Sequence, residues 1–217
     1  MPPTRAWLKL PPGRLSAGLF AAIAAFAVAG GAQILRGAHG GVLDLDGDWT
    51  LPAAFSALLL ACAALCAFAV GRRQIFGMRR SAYLLGALFL VMGLDEAFQL
   101  HERLESATGV DWQLLYLPLI LVCGVAWLLV TRALGRFRPA QALMVVGGVA
   151  WLAAQTLEQV QWNGDVQVAG YSAMMFAEEI LEMGGSALFL IALYWVLFRR
   201  DSRSATVHEG DERARAR

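Results

Sequence analysis

Six apolar runs of roughly twenty residues each, at about 15–36, 51–70, 81–102, 113–133, 140–162 and 171–198, leave this chain little choice of fold. A hydrocarbon core about 30 Å thick is crossed by about 20 residues of helix. No water is available there to satisfy backbone amides and carbonyls. A helix satisfies them within itself, and an open strand does not. The expected fold is all-α: a polytopic integral membrane helix bundle with six transmembrane helices, occupying residues 1–201. The polar, Arg/Glu-rich segment 202–217 is expected to be a disordered cytoplasmic tail. With 58% of residues hydrophobic and 16% charged, the chain is too apolar for an ordinary soluble domain. The expected surroundings are a lipid bilayer, with no nucleic-acid partner.

The basic residues give an orientation. Of 18, all but Lys9 are Arg. Arg5, Lys9 and Arg14 precede the first run, "GRRQIFGMRR" joins the second to the third, "TRALGRFRPA" joins the fourth to the fifth, and "FRRDSRS" follows the sixth. The intervening loops carry neither Lys nor Arg, apart from Arg36 and Arg103 at their edges. By the positive-inside rule both termini are cytoplasmic. The Arg excess and short loops suggest a bacterial inner (plasma) membrane. Basic residues, an apolar run and "AVA" at 27–29 also resemble a secretory signal, whose removal would leave five spans. The run is long for a signal and is read here as a span.

Against this apolar background, "LDEAFQLHERLE" at 94–105 is anomalous. Span three starts near Ser81, so at 1.5 Å per residue Asp95 lies about 21 Å across the bilayer. On the same count Gln155 and Glu158 of span five lie about 22–27 Å across. Glu178, Glu179 and Glu182 lie about 10–17 Å below the outer surface. All three clusters therefore fall in the outer half. Asp95, Gln99 and Glu102 share one face of a continuous helix, with Met92 and Glu96 beside them. Trp151, Gln155, Glu158, Gln159 and Trp162 form a stripe on span five, and Met174, Met175, Glu178, Glu179, Glu182 and Ser186 a broader one on span six. His101 projects away from the Asp95 face and joins it only if the helix end frays.

A carboxylate at membrane depth costs at least about 2.5 kcal/mol on the gentlest insertion scales. Protonation, water or a bound cation must offset that. The candidate ligand set is Asp95, Glu96, Glu102, Glu158, Glu178, Glu179 and Glu182, with Gln99, His101, Gln155 and Gln159 as secondary polar candidates. Oxygen-rich ligation suits protons, Na⁺ or a divalent Mg, Mn or Ca ion, and Zn or Fe less well. Haem is excluded because two facing histidines are lacking, and retinal because no membrane lysine exists. "HERLE" places Glu105 where a zinc protease has its second His. Asp44, Asp46 and Asp48 in "DLDGDW" begin like a calcium loop, but Gly47 stands at position four and no closing Glu follows. Cys62, Cys66 and Cys123 read as packing residues, as do Met92, Met174, Met175 and Met183. Gly30–Gly31, Gly147–Gly148 and Gly184–Gly185 read as sites of close helix approach.

Three functions fit. The first is a multipass protein whose carboxylate pocket, formed by spans three, five and six, binds a cation or protons for transport, exchange or sensing. The alternative is a membrane enzyme acting on a lipid-like substrate with a metal or a carboxylate base. The third is an accessory subunit of a homo-oligomer or larger membrane complex, whose acid face pairs with a partner. Transport requires a polar path continuing to the cytoplasmic side, an enzyme an opening large enough for substrate, and an accessory subunit an uncovered acid face.

Overall fold

A computed structural model describes residues 10–37, 40–47, 49–163 and 166–215, with residues 163 and 201–215 as backbone alone. Seven helices account for nearly all of it: α1 (Pro12–Leu35), α2 (Leu51–Arg72), α3 (Arg79–Phe98), α4 (Leu100–Thr108), α5 (Trp112–Ala133), α6 (Arg138–Val160) and α7 (Tyr171–Arg215). All but α4 are long and apolar enough to cross a membrane. Single 3₁₀ turns follow α2 and α5, and a two-residue antiparallel hairpin, β1 (Trp162–Asn163) with β2 (Val166–Gln167), links α6 to α7. The backbone of α7 is helical to Arg215, through most of the segment expected to be a disordered tail.

Local chemistry sets the helix starts. Thr50 accepts a hydrogen bond from the Ala53 amide and Asp111 from the Gln113 amide, satisfying N–H groups that a helix leaves unpaired at its beginning. Pro12, Pro52 and Pro139 occupy first-turn positions, where their missing N–H is no loss.

α7 is the central helix, flanked by α1, α2 and α6; α3 lies against α2, and α5 closes the far side against α3 and, more loosely, α6. The α6–α7 seam is close because both helices present glycine. A Cβ on Gly147 would stand 3.0 Å from the Gly185 carbonyl oxygen, and one on Gly185 would stand 2.9 Å from that of Gly147. Such approach of small residues replaces the hydrophobic drive that lipid cannot supply between membrane helices. Gly148 accommodates the Trp127 ring and Gly30 the Leu45 side chain, whereas Gly184 faces open space.

The bundle has two unlike ends. One gathers the termini of α2, α3, α5, α6 and the α7 span with Arg72, Arg79, Arg132, Arg138 and Arg200, and there the Arg200 guanidinium donates to the Arg73 carbonyl. The apolar core lies toward it, with Leu85, Phe89, Met144 and Leu193 fully buried and the Phe89 and Phe189 rings stacked at 5.1 Å. The other end gathers the loops after α1, α3 and α6, and all the acidic candidates. Around the outside Leu58, Leu65, Leu121, Val125, Val149 and Leu152 are exposed, the surface expected of helices bathed in lipid.

Candidate functional site

The third apolar run does not remain one helix through residue 102. It breaks at Gln99, which adopts a left-handed conformation (φ +50°, ψ +51°), and α4 starts afresh at Leu100. Asp95 holds the break. Its Oδ1 accepts from the His101 backbone amide at 2.9 Å, capping α4, and its Oδ2 meets His101 Nδ1 at 2.8 Å. The shared face expected for Asp95, Gln99 and Glu102 on one continuous helix is thereby corrected. Glu102 belongs to α4 and is exposed, and His101, expected to point away, is the partner of Asp95. Charge-assisted bonds of this kind are among the stronger ones available.

Beneath this break lies a cavity of about 760 Å³ between α3, α5, α6 and α7. All eleven candidate residues line it: Asp95, Glu96, Gln99, His101 and Glu102 from α3, α4 and the joint between them, Gln155, Glu158 and Gln159 from α6, and Glu178, Glu179 and Glu182 from α7. For the candidates on α6 and α7 periodicity gave the faces that meet at the cavity, because those helices are regular there; Gln99, His101 and Glu102 reach it through the break instead. Met92, Trp151 and Trp162, of the same stripes, also line it, while Met175 and Met183 pack in the core.

Most of the carboxylates are held by neutral donors. Glu158 accepts from Trp112 Nε1 at 2.9 Å and from Gln113 Nε2 at 3.3 Å. Glu182 accepts from Gln155 Nε2 at 3.1 Å, and Glu178 accepts from the Gln161 side-chain amide. Tyr116 donates its hydroxyl to Asp95 at 2.9 Å. Glu96 and Glu179 differ: both line the cavity, and neither hydrogen-bonds to a described residue. His101 is the basic group paired with Asp95 on the cavity wall. Burial disfavours its charged form, but the hydrogen bond and charge of Asp95, reinforced by Glu158 and Glu102, prevail and raise its pKa above the ordinary 6.5. Arg103, also near this end, lines a separate depression with Trp49, Gln99, Glu102 and Ser106.

Several of these partners escaped the sequence reading. Trp112, Gln113 and Tyr116 come from α5, which carries no acid and was not assigned to the pocket. The available signal was one turn of hydrogen-bond donors starting span four at the depth where the acids cluster. Asp46, in the loop that only begins like a calcium site, also lines the cavity and accepts from the Tyr171 hydroxyl at 2.9 Å. Asp48 lies outside the described residues.

Among the described residues no three His, Cys, Asp or Glu side chains are grouped to hold a metal ion. The donors just described spread the carboxylates around the walls. The site therefore offers dispersed negative charge and two carboxylates free of protein donors, rather than a ready-made coordination sphere.

The cavity changes character along its length. Away from the acids its walls are Leu88, Phe89, Leu119, Ile120, Cys123, Gly124, Trp127 and Leu152. Some of these also face outward: Leu152 is 69% and Ile120 42% exposed, so the wall between α5 and α6 borders the lipid-facing surface. At the arginine end the stacked Phe89 and Phe189 rings lie across the bundle.

No curated protein and no solved structure matches the chain. A family model described as "Domain of unknown function (DUF8692)" matches residues 17–197, which include every acid described above except those of the tail, and the chain belongs to that family.

Proposed function

We propose that this is a multipass protein of a bacterial inner membrane, with both termini cytoplasmic, whose carboxylate-lined cavity in the outer half of the membrane binds a cation in exchange for protons. The observation that carries this reading is the meeting of Asp95, Glu96, Glu158, Glu178, Glu179 and Glu182, from three helices, around one cavity, with His101 paired to Asp95 on its wall. Clustered intramembrane acids are expensive unless a positive charge or protons neutralise them. Dispersal of the acids favours protons or a loosely held cation over a tightly coordinated divalent metal.

The apolar core between the cavity and the arginine end supports binding, exchange or sensing from one side rather than an open conduit. Glu96, Glu179 and Glu182 are half-buried in a cavity whose walls include α5 and α6, which speaks against an accessory role that needs an uncovered acid face.

Proton counting tests the reading. Purified protein in weakly buffered detergent solution is mixed with Na⁺, Mg²⁺ or tetramethylammonium while a pH dye is monitored. At least one cation is expected to release protons. A variant combining Glu96→Gln, Glu179→Gln and Glu182→Gln is expected to keep its helical content and release none. Absence of release from the unsubstituted protein with every cation, or equal release from the variant, would refute the proposal.

A further inference from the structure

The volume and walls of the cavity narrow the identity of its cation, given the reading just proposed. A bare ion needs a few oxygens at about 2.0–2.6 Å and almost no space. Here about 760 Å³ is available, in the range of sites for whole organic ligands, and no three-ligand group lies among the described residues. The two ends of the cavity are chemically unlike. At one, Glu96 and Glu179 line the space with no hydrogen bond to a described residue, and Trp112 and Tyr116, in edge-to-face contact with each other, line the same cavity. Carboxylates with aromatic faces form the environment that attracts a substituted ammonium group, by charge and by cation–π contact. At the other end the walls are hydrocarbon and aromatic, with nothing to solvate an inorganic ion. Between α5 and α6 the wall at Ile120 and Leu152 borders lipid.

We infer that the cavity receives a single-chain amphiphile with an ammonium head, entering from the bilayer between α5 and α6, its head against Glu96 and Glu179 and its chain along Leu119, Gly124 and Trp127. The amphiphile is a membrane constituent or a membrane-partitioned compound. Its head displaces the protons that otherwise neutralise the acids, and its chain fills space that water would occupy at a cost. Gly124 leaves the chain passage open. It lines the cavity, and a Cβ built there meets nothing within 4 Å.

Tryptophan quenching reads this directly, because Trp112, Trp127 and Trp151 all line the cavity. Full-length protein in maltoside micelles is titrated with a dodecyltrimethylammonium carrying bromine on its chain, and separately with a brominated dodecyl maltoside. The ammonium compound is expected to quench at about a tenfold lower mole fraction, a preference removed by Glu96→Gln with Glu179→Gln. Gly124→Leu, which fills the passage without a clash, is expected to weaken quenching by about tenfold while leaving proton release by tetramethylammonium intact. Equal quenching by the two brominated compounds would overturn the inference. So would competition by free tetramethylammonium as effective as that by the unbrominated dodecyl compound, which would mark a soluble cation as the ligand. Proton release by small cations without amphiphile binding would overturn the inference and leave the cation site standing; loss of both would remove both.

Discussion

The two halves of α7 solve opposite problems. From Gly185 to Leu197 the helix is buried against α2 and α6, through Ser186, Ala187, Phe189, Ile191, Leu193 and Val196, with backbones in near contact at Gly147 and Gly185. From Tyr171 to Glu182 the same helix turns three glutamates toward a cavity. The boundary falls at Trp151, whose indole N–H donates to Ser186 Oγ at 3.1 Å. The closed half fixes the position of the helix; the open half holds carboxylates that close packing would leave unsolvated. A rigid seam beside an unfilled, charged space is the arrangement of a binding site carried on a scaffold, and the comparison can be broken from either side.

The largest effect is expected in the closed half. Gly185→Leu drives a side chain into the Gly147 carbonyl and the Trp151 ring, and overpacking of this kind costs about 1–3 kcal/mol or more. Thermal unfolding in detergent should fall sharply; an unchanged transition would mean that the seam is not close. In the open half, Asp95→Ala removes the cap of α4, the His101 pair and the Tyr116 acceptor together, an expected loss of about 2 kcal/mol. Hydrogen exchange at residues 100–108 should accelerate with it, and protection equal to the parent would deny Asp95 its capping role. At the boundary, Trp151→Phe keeps the ring and drops one hydrogen bond, worth about 1 kcal/mol. Its melting point should lie between those of the parent and of Gly185→Leu.

The smallest effect is a pH dependence. Because the folded pKa of His101 lies above 6.5, its pairing with Asp95 contributes fully below that pH and is lost as pH rises through the raised value. The difference in melting temperature between the parent and His101→Gln should therefore shrink as pH climbs above 6.5. A difference constant with pH would show that titration of the imidazole is not coupled to folding.

The six long helices were legible because length and apolarity are properties of the chain itself, and most of their ends lie within a few residues of those expected, as with 51–70 against Leu51–Arg72 and 140–162 against Arg138–Val160, whereas α7 runs on from 198 to Arg215. The acids that helical rise and the arginine pattern led us to expect at one depth line one cavity. The break at Gln99 was not legible. Nothing in "EAFQLHE" marks a left-handed residue, and what stabilises it is Asp95 reaching across the break to the His101 amide and ring. The donors Trp112, Gln113 and Tyr116 were missed for a related reason. A neutral residue at a helix start declares its partner only when another helix is brought against it, as Glu158 is.

The sharpest single test is a double-mutant cycle across α3 and α7, measured as unfolding free energy in lipid–detergent bicelles at neutral pH. Glu96→Gln and Glu182→Gln should each remove the cost of holding two carboxyl groups together, whether met by repulsion or by proton uptake, so the pair together should gain less than the sum, with a coupling of at least about 0.5 kcal/mol. Gains that simply add would contradict the account, because they would mean that these acids do not share one cavity.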